Sequence, residues 1–236
     1  MKSNIFAILS KCITKNIYDK YTYQGELETV FISDTSPEFT SRNVYTYDDI
    51  VLEHAGFHHA GFGRNKPTAW DKIFWHLKHA EQSYDFVWII EDDCYLNKKK
   101  FPSLVEQYID ESADILHFSW VQSRSVASSS PGRDSNWSHF RNVYNKYFPV
   151  ESQSGSLNVF TRLSVNLVNK VLEFQQKHSR FVFHEIMIPT VAEINKLTRK
   201  QIVNKEIICY AKSLPSKVVA ARDKYTVLHP MKEWCD

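Results

Sequence analysis

Three carboxylates stand side by side at Glu91-Asp92-Asp93, directly after the apolar run Phe86-Val87-Trp88-Ile89-Ile90. Adjacent negative charges repel one another and sit together more easily when a cation shares them. The triplet is therefore a candidate divalent-metal site able to receive a phosphorylated ligand. In an extended chain Glu91 and Asp93 share one side and Asp92 faces the other. Glu185 follows Phe181-Val182-Phe183 and opens an apolar helical pattern that contains Pro189. Proline suits the first turn of a helix, so this helix is predicted to start near Glu185 or Ile186. The helix dipole there favours an ionised carboxylate. Such a group serves either as a general base or as a plain N-terminal helix charge. His229, just after the run Tyr225-Thr226-Val227-Leu228, is a candidate metal ligand supplied from a distance, although a lone histidine is normally not one.

Four further residues could bind a ligand. Asp34 ends the run Glu28-Thr29-Val30-Phe31-Ile32-Ser33 and either accepts hydrogen bonds from a nucleoside or caps the turn Asp34-Thr35-Ser36-Pro37. Arg64 and Lys66 precede a helical pattern that begins at Pro67. With that helix N-terminus they either attract a diphosphate or stand solvated on a loop. Asp71, with Lys72, lies on the first turn and can face the same site. The pair His58-His59 reads as surface or core, because adjacent histidines point apart on a strand and do not share a helix face.

These residues need elements to position them. Asn4 to Leu9, Glu28 to Ser33 and Phe86 to Ile90 read as strands, the last buried on both faces because its apolar run does not alternate. Ala69, Trp70, Ile73, Phe74, Leu77 and Ala80 recur at helical spacing, as do Phe101, Leu104, Val105, Tyr108 and Ile109. Ala113 to Trp120 is a further predicted strand. The resulting order β, β, α, β, α, β predicts an α/β sandwich with a central, mostly parallel sheet flanked by helices. In such sheets ligands bind beyond the C-terminal ends of the strands, where the triplet falls. Residues 121–156 break the alternation with a serine-rich stretch and then Trp137, Phe140, Tyr144 and Tyr147, and read as a partly ordered flap on the acceptor side. A helix over Val165 to Phe174 and strands at Glu206 to Tyr210 and Tyr225 to Leu228 complete the pattern.

Composition bounds the reading. The 236 residues are 43% hydrophobic, enough for one core and one domain over 1–236. A net charge of +2 lacks the dense basic face of a nucleic-acid binder. The apolar run Ile5 to Leu9 is too short for a signal-peptide core or a membrane span. Cys12, Cys94, Cys209 and Cys235 form no CxxC pair, so reduced thiols in a soluble, cytoplasmic protein are expected.

Taken together, Trp88-Ile89-Ile90-Glu91-Asp92-Asp93 resembles the metal-binding DxD motif of the GT-A class of nucleotide-sugar-dependent glycosyltransferases, in a Glu-Asp-Asp form. The likeness implies a GT-A (Rossmann-like) fold, with 1–120 as the nucleotide-sugar-binding half and 121–236 as the acceptor-binding half. It implies Mn²⁺ or Mg²⁺ on Asp93 and His229, donor contacts from Glu91 and Asp92, nucleoside contact at Asp34, and Glu185 as the base of an inverting reaction. The donor would be a nucleoside-diphosphate sugar, a UDP-sugar first among them, and the acceptor a glycan hydroxyl. His229-Pro230-Met231-Lys232 is similar to small soluble glycosyltransferase domains of algae and of the large DNA viruses that infect them. Two other classes stay open: a metal-dependent nucleotidyltransferase or phosphoesterase, and a non-catalytic carbohydrate-binding protein on the same fold. Against the former, Ser10-Lys11-Cys12-Ile13-Thr14 after the first strand carries no glycine.

Overall fold

The computed structural model describes residues 3–22, 28–59, 66–80, 83–118, 121–122, 145–209 and 216–231. Its strands are β1 (Asn4–Ser10), β2 (Glu28–Ser33), β3 (Val44–Tyr45), β4 (Phe86–Glu91), β5 (Tyr95–Leu96), β6 (Ile115–His117), β7 (Val121–Gln122), β8 (Ser154–Gly155), β9 (Phe160–Ser164), β10 (Arg199–Gln201), β11 (Ile207–Cys209) and β12 (Val227–His229). The helices are α1 (Lys15–Tyr21), α2 (Asp49–His54), α3 (Ala69–His79), α4 (Phe101–Tyr108), α5 (Val165–His178), α6 (His184–Ile194) and α7 (Ser216–Ala220).

Seven strands form one sheet in the order β10-β6-β9-β4-β1-β2-β3. The pairs β1–β2, β1–β4, β2–β3 and β6–β10 are parallel, while β9 runs antiparallel between β4 and β6. The mixed α/β class with a mostly parallel central sheet is thus as expected. The central strands show why their sequences do not alternate in polarity. Ile5, Ala7, Leu9, Val87 and Ile89 enter one core with α3, α5 and α6, whereas Phe6, Ile8, Trp88 and Ile90 enter a second with α4. Successive side chains point to opposite faces, and both faces are covered. A small second sheet, β11-β12-β5, packs the C-terminal segment onto the chain just after the acidic triplet.

Three expectations need adjusting. Pro67 lies before α3 rather than in its first turn, because the Asp71 carboxylate accepts from both the N–H (2.7 Å) and the hydroxyl (2.9 Å) of Thr68 and fixes Thr68 as the cap. The strand expected over Ala113 to Trp120 pairs only over Ile115–His117 within the described residues. Helix α6 starts at His184, so Pro189 sits beyond its first turn. Pro189 has no N–H for the carbonyl of Glu185, and the Ser156 N–H takes that carbonyl instead at 2.8 Å. The nearby Asn158 side-chain amide donates to the His184 carbonyl at 3.0 Å. The segment from Ser154 to Asn158 therefore grips the start of α6. Most of the expected flap, residues 123–144, lies outside the described residues.

Candidate metal centre

Glu91 is the last residue of β4, and Asp92 and Asp93 form a turn rather than a continued strand. The turn is closed by Cys94 N–H to the Glu91 carbonyl, 3.0 Å. Even so, the two sides predicted for an extended chain are kept. Glu91 and Asp93 face His229, and Asp92 faces the end of β1, where its Oδ2 accepts from the Ser10 hydroxyl at 2.5 Å.

His229 reaches the cluster because β12 pairs antiparallel with β5, directly after the triplet in sequence. The Met231 N–H then donates to the Asp93 carbonyl at 2.7 Å. Nε2 of His229 stands 3.2 Å from Oδ1 of Asp93 and 3.9 Å from Oε2 of Glu91. One ligand atom from each of Glu91, Asp93 and His229 lies within 4.8 Å of the others. Oδ1 of Asp93 is buried and accepts no hydrogen bond among the described residues. Two carboxylates and an imidazole, with one orphaned buried oxygen, fit a hard or borderline divalent cation such as Mn²⁺ or Mg²⁺. Glu91, expected on the donor side, stands within this group of three.

The surroundings work against free negative charge on Glu91 and Asp92. Burial holds the Glu91 carboxyl above its ordinary range; the Trp70 N–H opposes this, and the charges of Asp93 and Asp92 add to it. Burial likewise raises Asp92, against the pull of the Ser10 hydroxyl. Lys20 donates to the Asp92 carbonyl at 3.1 Å, as does the Tyr21 hydroxyl at 2.7 Å. Burial depresses Lys20 to about 7 despite the nearby Asp92 charge. A bound cation would offset both the burial cost and the mutual repulsion of these carboxylates.

Asp34 is brought to the same edge of the sheet. Its N–H donates to the carbonyl of Ser10 at 2.9 Å, so Ser10 touches both Asp34 and Asp92. Oδ1 of Asp34 is buried with no hydrogen bond among the described residues. Burial raises its pKa, and Lys72 opposes the rise. Lys72 is 1% exposed, and its ammonium lies 2.6 Å from the Asp34 carbonyl and 2.8 Å from Oδ1 of Asp49. Asp71 is buried, with Oδ2 used by Thr68 and by Nδ1 of His59 at 3.0 Å. Lys66 is exposed ahead of α3, and Arg64 lies outside the described residues.

Glu185, the second residue of α6, is 7% exposed. Its neighbour His184 is the residue seen to reach the cluster, with Nε2 4.0 Å from Oε1 of Glu91. His184 also stacks flat on Trp70, with ring centroids 4.0 Å apart and planes 8° from parallel. Trp70 Nε1 donates to Oε1 of Glu91 at 2.8 Å. Trp70, His184 and Ser10 stand beside the acidic cluster although sequence patterns pass over them, whereas Lys72 was expected on this side of α3. Trp70 reads as an ordinary position of an amphipathic helix, and Ser10 and His184 as the ends of apolar runs.

Among the described residues, no helix is long and apolar enough to cross a membrane. No protein-family model matches the sequence, and no curated protein matches it. Solved structures of similar chain course include mouse xyloside xylosyltransferase 1, 11% identical with 97% of each chain covered and a TM-score of 0.47. The galactosyltransferase LgtC, in complex with donor and acceptor sugar analogs, is 9% identical over 94% of this chain and 80% of its own, with a TM-score of 0.45. Glucosyl-3-phosphoglycerate synthase from Mycobacterium tuberculosis, in complex with Mn²⁺ and UDP-glucose, is 11% identical over 94% and 76%, with a TM-score of 0.44. These are likenesses of chain course at low identity, and the chemistry of the site rests on the residues described above.

Proposed function

We propose that the chain is a metal-dependent glycosyltransferase that moves a sugar from a nucleoside-diphosphate sugar, foremost a UDP-sugar, to a glycan hydroxyl. The observation that carries this reading is the Glu91–Asp93–His229 group at the C-terminal end of a parallel strand. That is where an open α/β sheet binds its ligand. Glu91, Asp93 and His229 would hold the cation, which supplies charge compensation to the two phosphates of the donor. The buried, unpartnered Oδ1 of Asp34 is suited to accept from an N–H or O–H of the nucleoside. Asp92 and Asp71 are assigned to the donor side, and Arg64 and Lys66, ahead of α3, to its phosphates. In this reading residues 1–120 bind the donor and 121–236 the acceptor, within one domain.

The inverting reaction needs a base. Glu185 accepts the proton of the acceptor hydroxyl while the hydroxyl oxygen bonds to the anomeric carbon. The bond from that carbon to the diphosphate breaks, and the electron pair leaves with the nucleoside diphosphate. The grip of Ser156 and Asn158 on the first turn of α6 fixes the backbone that carries this carboxylate.

The test is a panel of nucleotide sugars incubated with the full chain and Mn²⁺, read by release of nucleoside diphosphate. Turnover of one donor, lost with EDTA and lost in Asp93→Ala, is the expected result. A panel with no donor bound or turned over sinks the transferase reading. Hydrolysis of a simple phosphate monoester in its place selects a phosphoesterase.

A further inference from the structure

We propose that Trp70 is a positioning residue for the metal cluster, acting through Glu91, and that His184 holds its indole ring in place. The inference rests on reading the cluster as a metal site. A carboxylate facing a cation can offer either oxygen or both. Here one lone pair of Glu91 Oε1 is occupied, since the Trp70 indole N–H donates to it at 2.8 Å, which fixes the plane of the carboxylate. Indole N–H is a donor only and cannot take part in any other way. Oε2 is the oxygen toward His229, 3.9 Å from its Nε2. Glu91 is thereby oriented as a ligand before any ion arrives.

The indole is itself fixed from two sides. Trp70 is the second residue of α3, whose start is set by the contacts of Thr68 with Asp71. The flat stack of His184 on the ring closes the other side. The imidazole packs as an aromatic plate against the indole, ring centroids 4.0 Å apart. His184 is also the first residue of α6, next to Glu185. One stacked pair therefore ties the metal-ligand carboxylate to the helix that carries the proposed base.

The probe is Mn²⁺ alone, with affinity read from the free-ion signal in electron paramagnetic resonance on the full chain. Trp70→Phe keeps an aromatic ring and removes the donor. It is expected to weaken Mn²⁺ binding about 10–100-fold, the range for partners that orient a ligand. The decisive comparison is made in a Glu91→Ala background, which removes the acceptor, and there Trp70→Phe is expected to add less than about twofold if it acts through Glu91. Equal losses in both backgrounds, or no loss in either, overturn the inference while leaving the metal reading intact. Absence of Mn²⁺ binding by the unaltered chain overturns both. Should Trp70→Phe fail to fold, His184→Phe and His184→Ala decide the matter. The first, which keeps a stacking ring, is expected to bind Mn²⁺ within about twofold of the unaltered chain, and the second several-fold more weakly. Identical affinities for these two variants also overturn the inference.

Discussion

At the scale of single residues, the division between metal and base can be separated by experiment. Glu185→Gln keeps the size of the side chain and removes its capacity to take a proton. Donor binding in the presence of Mn²⁺ should be unchanged, while kcat falls about 10²–10⁴-fold, the usual contribution of a general base. Single-turnover kinetics with saturating donor measures this, and full transfer by the variant would reject Glu185 as the base. Asp93 and His229 of the candidate cluster were legible in the sequence, whereas Glu91 was expected on the donor side. Three adjacent carboxylates after a buried strand sit together more easily when a cation shares them, and His229 ends the strand that pairs beside them. Trp70 and His184 were not legible as site residues. Their roles come from α3 and α6 meeting across Glu91, a tertiary fact that neither helical pattern contains. The same holds for Ser10, whose hydroxyl meets Asp92 only because β1 pairs with β4.

Elements were legible in proportion to how much apolar surface they bury. β1 is buried along its whole length, and its run of apolar residues announces it. By contrast β10, Arg199-Lys200-Gln201, is exposed throughout and is a strand only because it pairs with β6 at the edge of the sheet. α1 has a single buried residue, Tyr21, and so presents no apolar stripe to read. Pro189 misled in an instructive way. A proline deeper than the first turn leaves a carbonyl unbonded, and the carbonyl of Glu185 found the Ser156 N–H. The strap from Ser154 to Asn158 is therefore part of what makes α6 possible. Asn158→Ala removes its side-chain bond to the His184 carbonyl. The expected cost is about 1 kcal/mol of stability, the net worth of one buried hydrogen bond. Because the strap sets the first turn of α6, kcat should fall while the Mn²⁺ affinity of the cluster holds. Urea unfolding with parallel Mn²⁺ titration checks both, and a variant with native kcat would detach the strap from function. On α3, His76 gives a pH signature. Its Nδ1 lies 2.7 Å from the Tyr47 hydroxyl, and burial lowers its pKa, with Glu28 opposing. The unfolded chain takes up this proton near pH 6.5 while the folded chain resists it, so the stability contributed by neutral His76 is full above that pH and is lost as pH falls. His76→Asn keeps an acceptor for Tyr47 and cannot titrate. The stability difference between parent and variant should shrink from pH 7 to pH 5, and parallel curves would show that His76 does not carry the effect.

At the scale of the whole molecule, the candidate site joins two distant parts of the chain. Glu91 closes β4 and Asp93 lies in the turn after it, whereas His229 arrives on β12 near the C-terminal end of the described residues. β12 is held by β5 and β11 in a three-stranded sheet of its own, apart from the large central one. Its apolar cluster is small, with Tyr95, Val218, Leu228 and Met231 at its heart. Val227 joins the second core beside β1 and β4, but the rest of the segment packs on this small cluster and opens at lower free energy than the seven-stranded sheet. A cation bridging Asp93 and His229 adds a tether between that segment and the central sheet. Any opening that separates His229 from Asp93 must then release the ion, which costs about 2.7 kcal/mol when free metal stands at 100 times its Kd. Hydrogen exchange should report this directly. The amides of Val227, Leu228 and Met231 should exchange up to about a hundredfold more slowly in Mn²⁺ than in EDTA, while those of β1 and β2 stay unchanged. The Met231 amide is the sharpest reporter, because its hydrogen-bond acceptor is the carbonyl of Asp93 itself. In Asp93→Ala the difference between the two conditions should vanish. Equal exchange at Met231 with and without Mn²⁺ in the parent chain would mean that the C-terminal segment is held by its packing alone, and His229 would lose its place as a ligand.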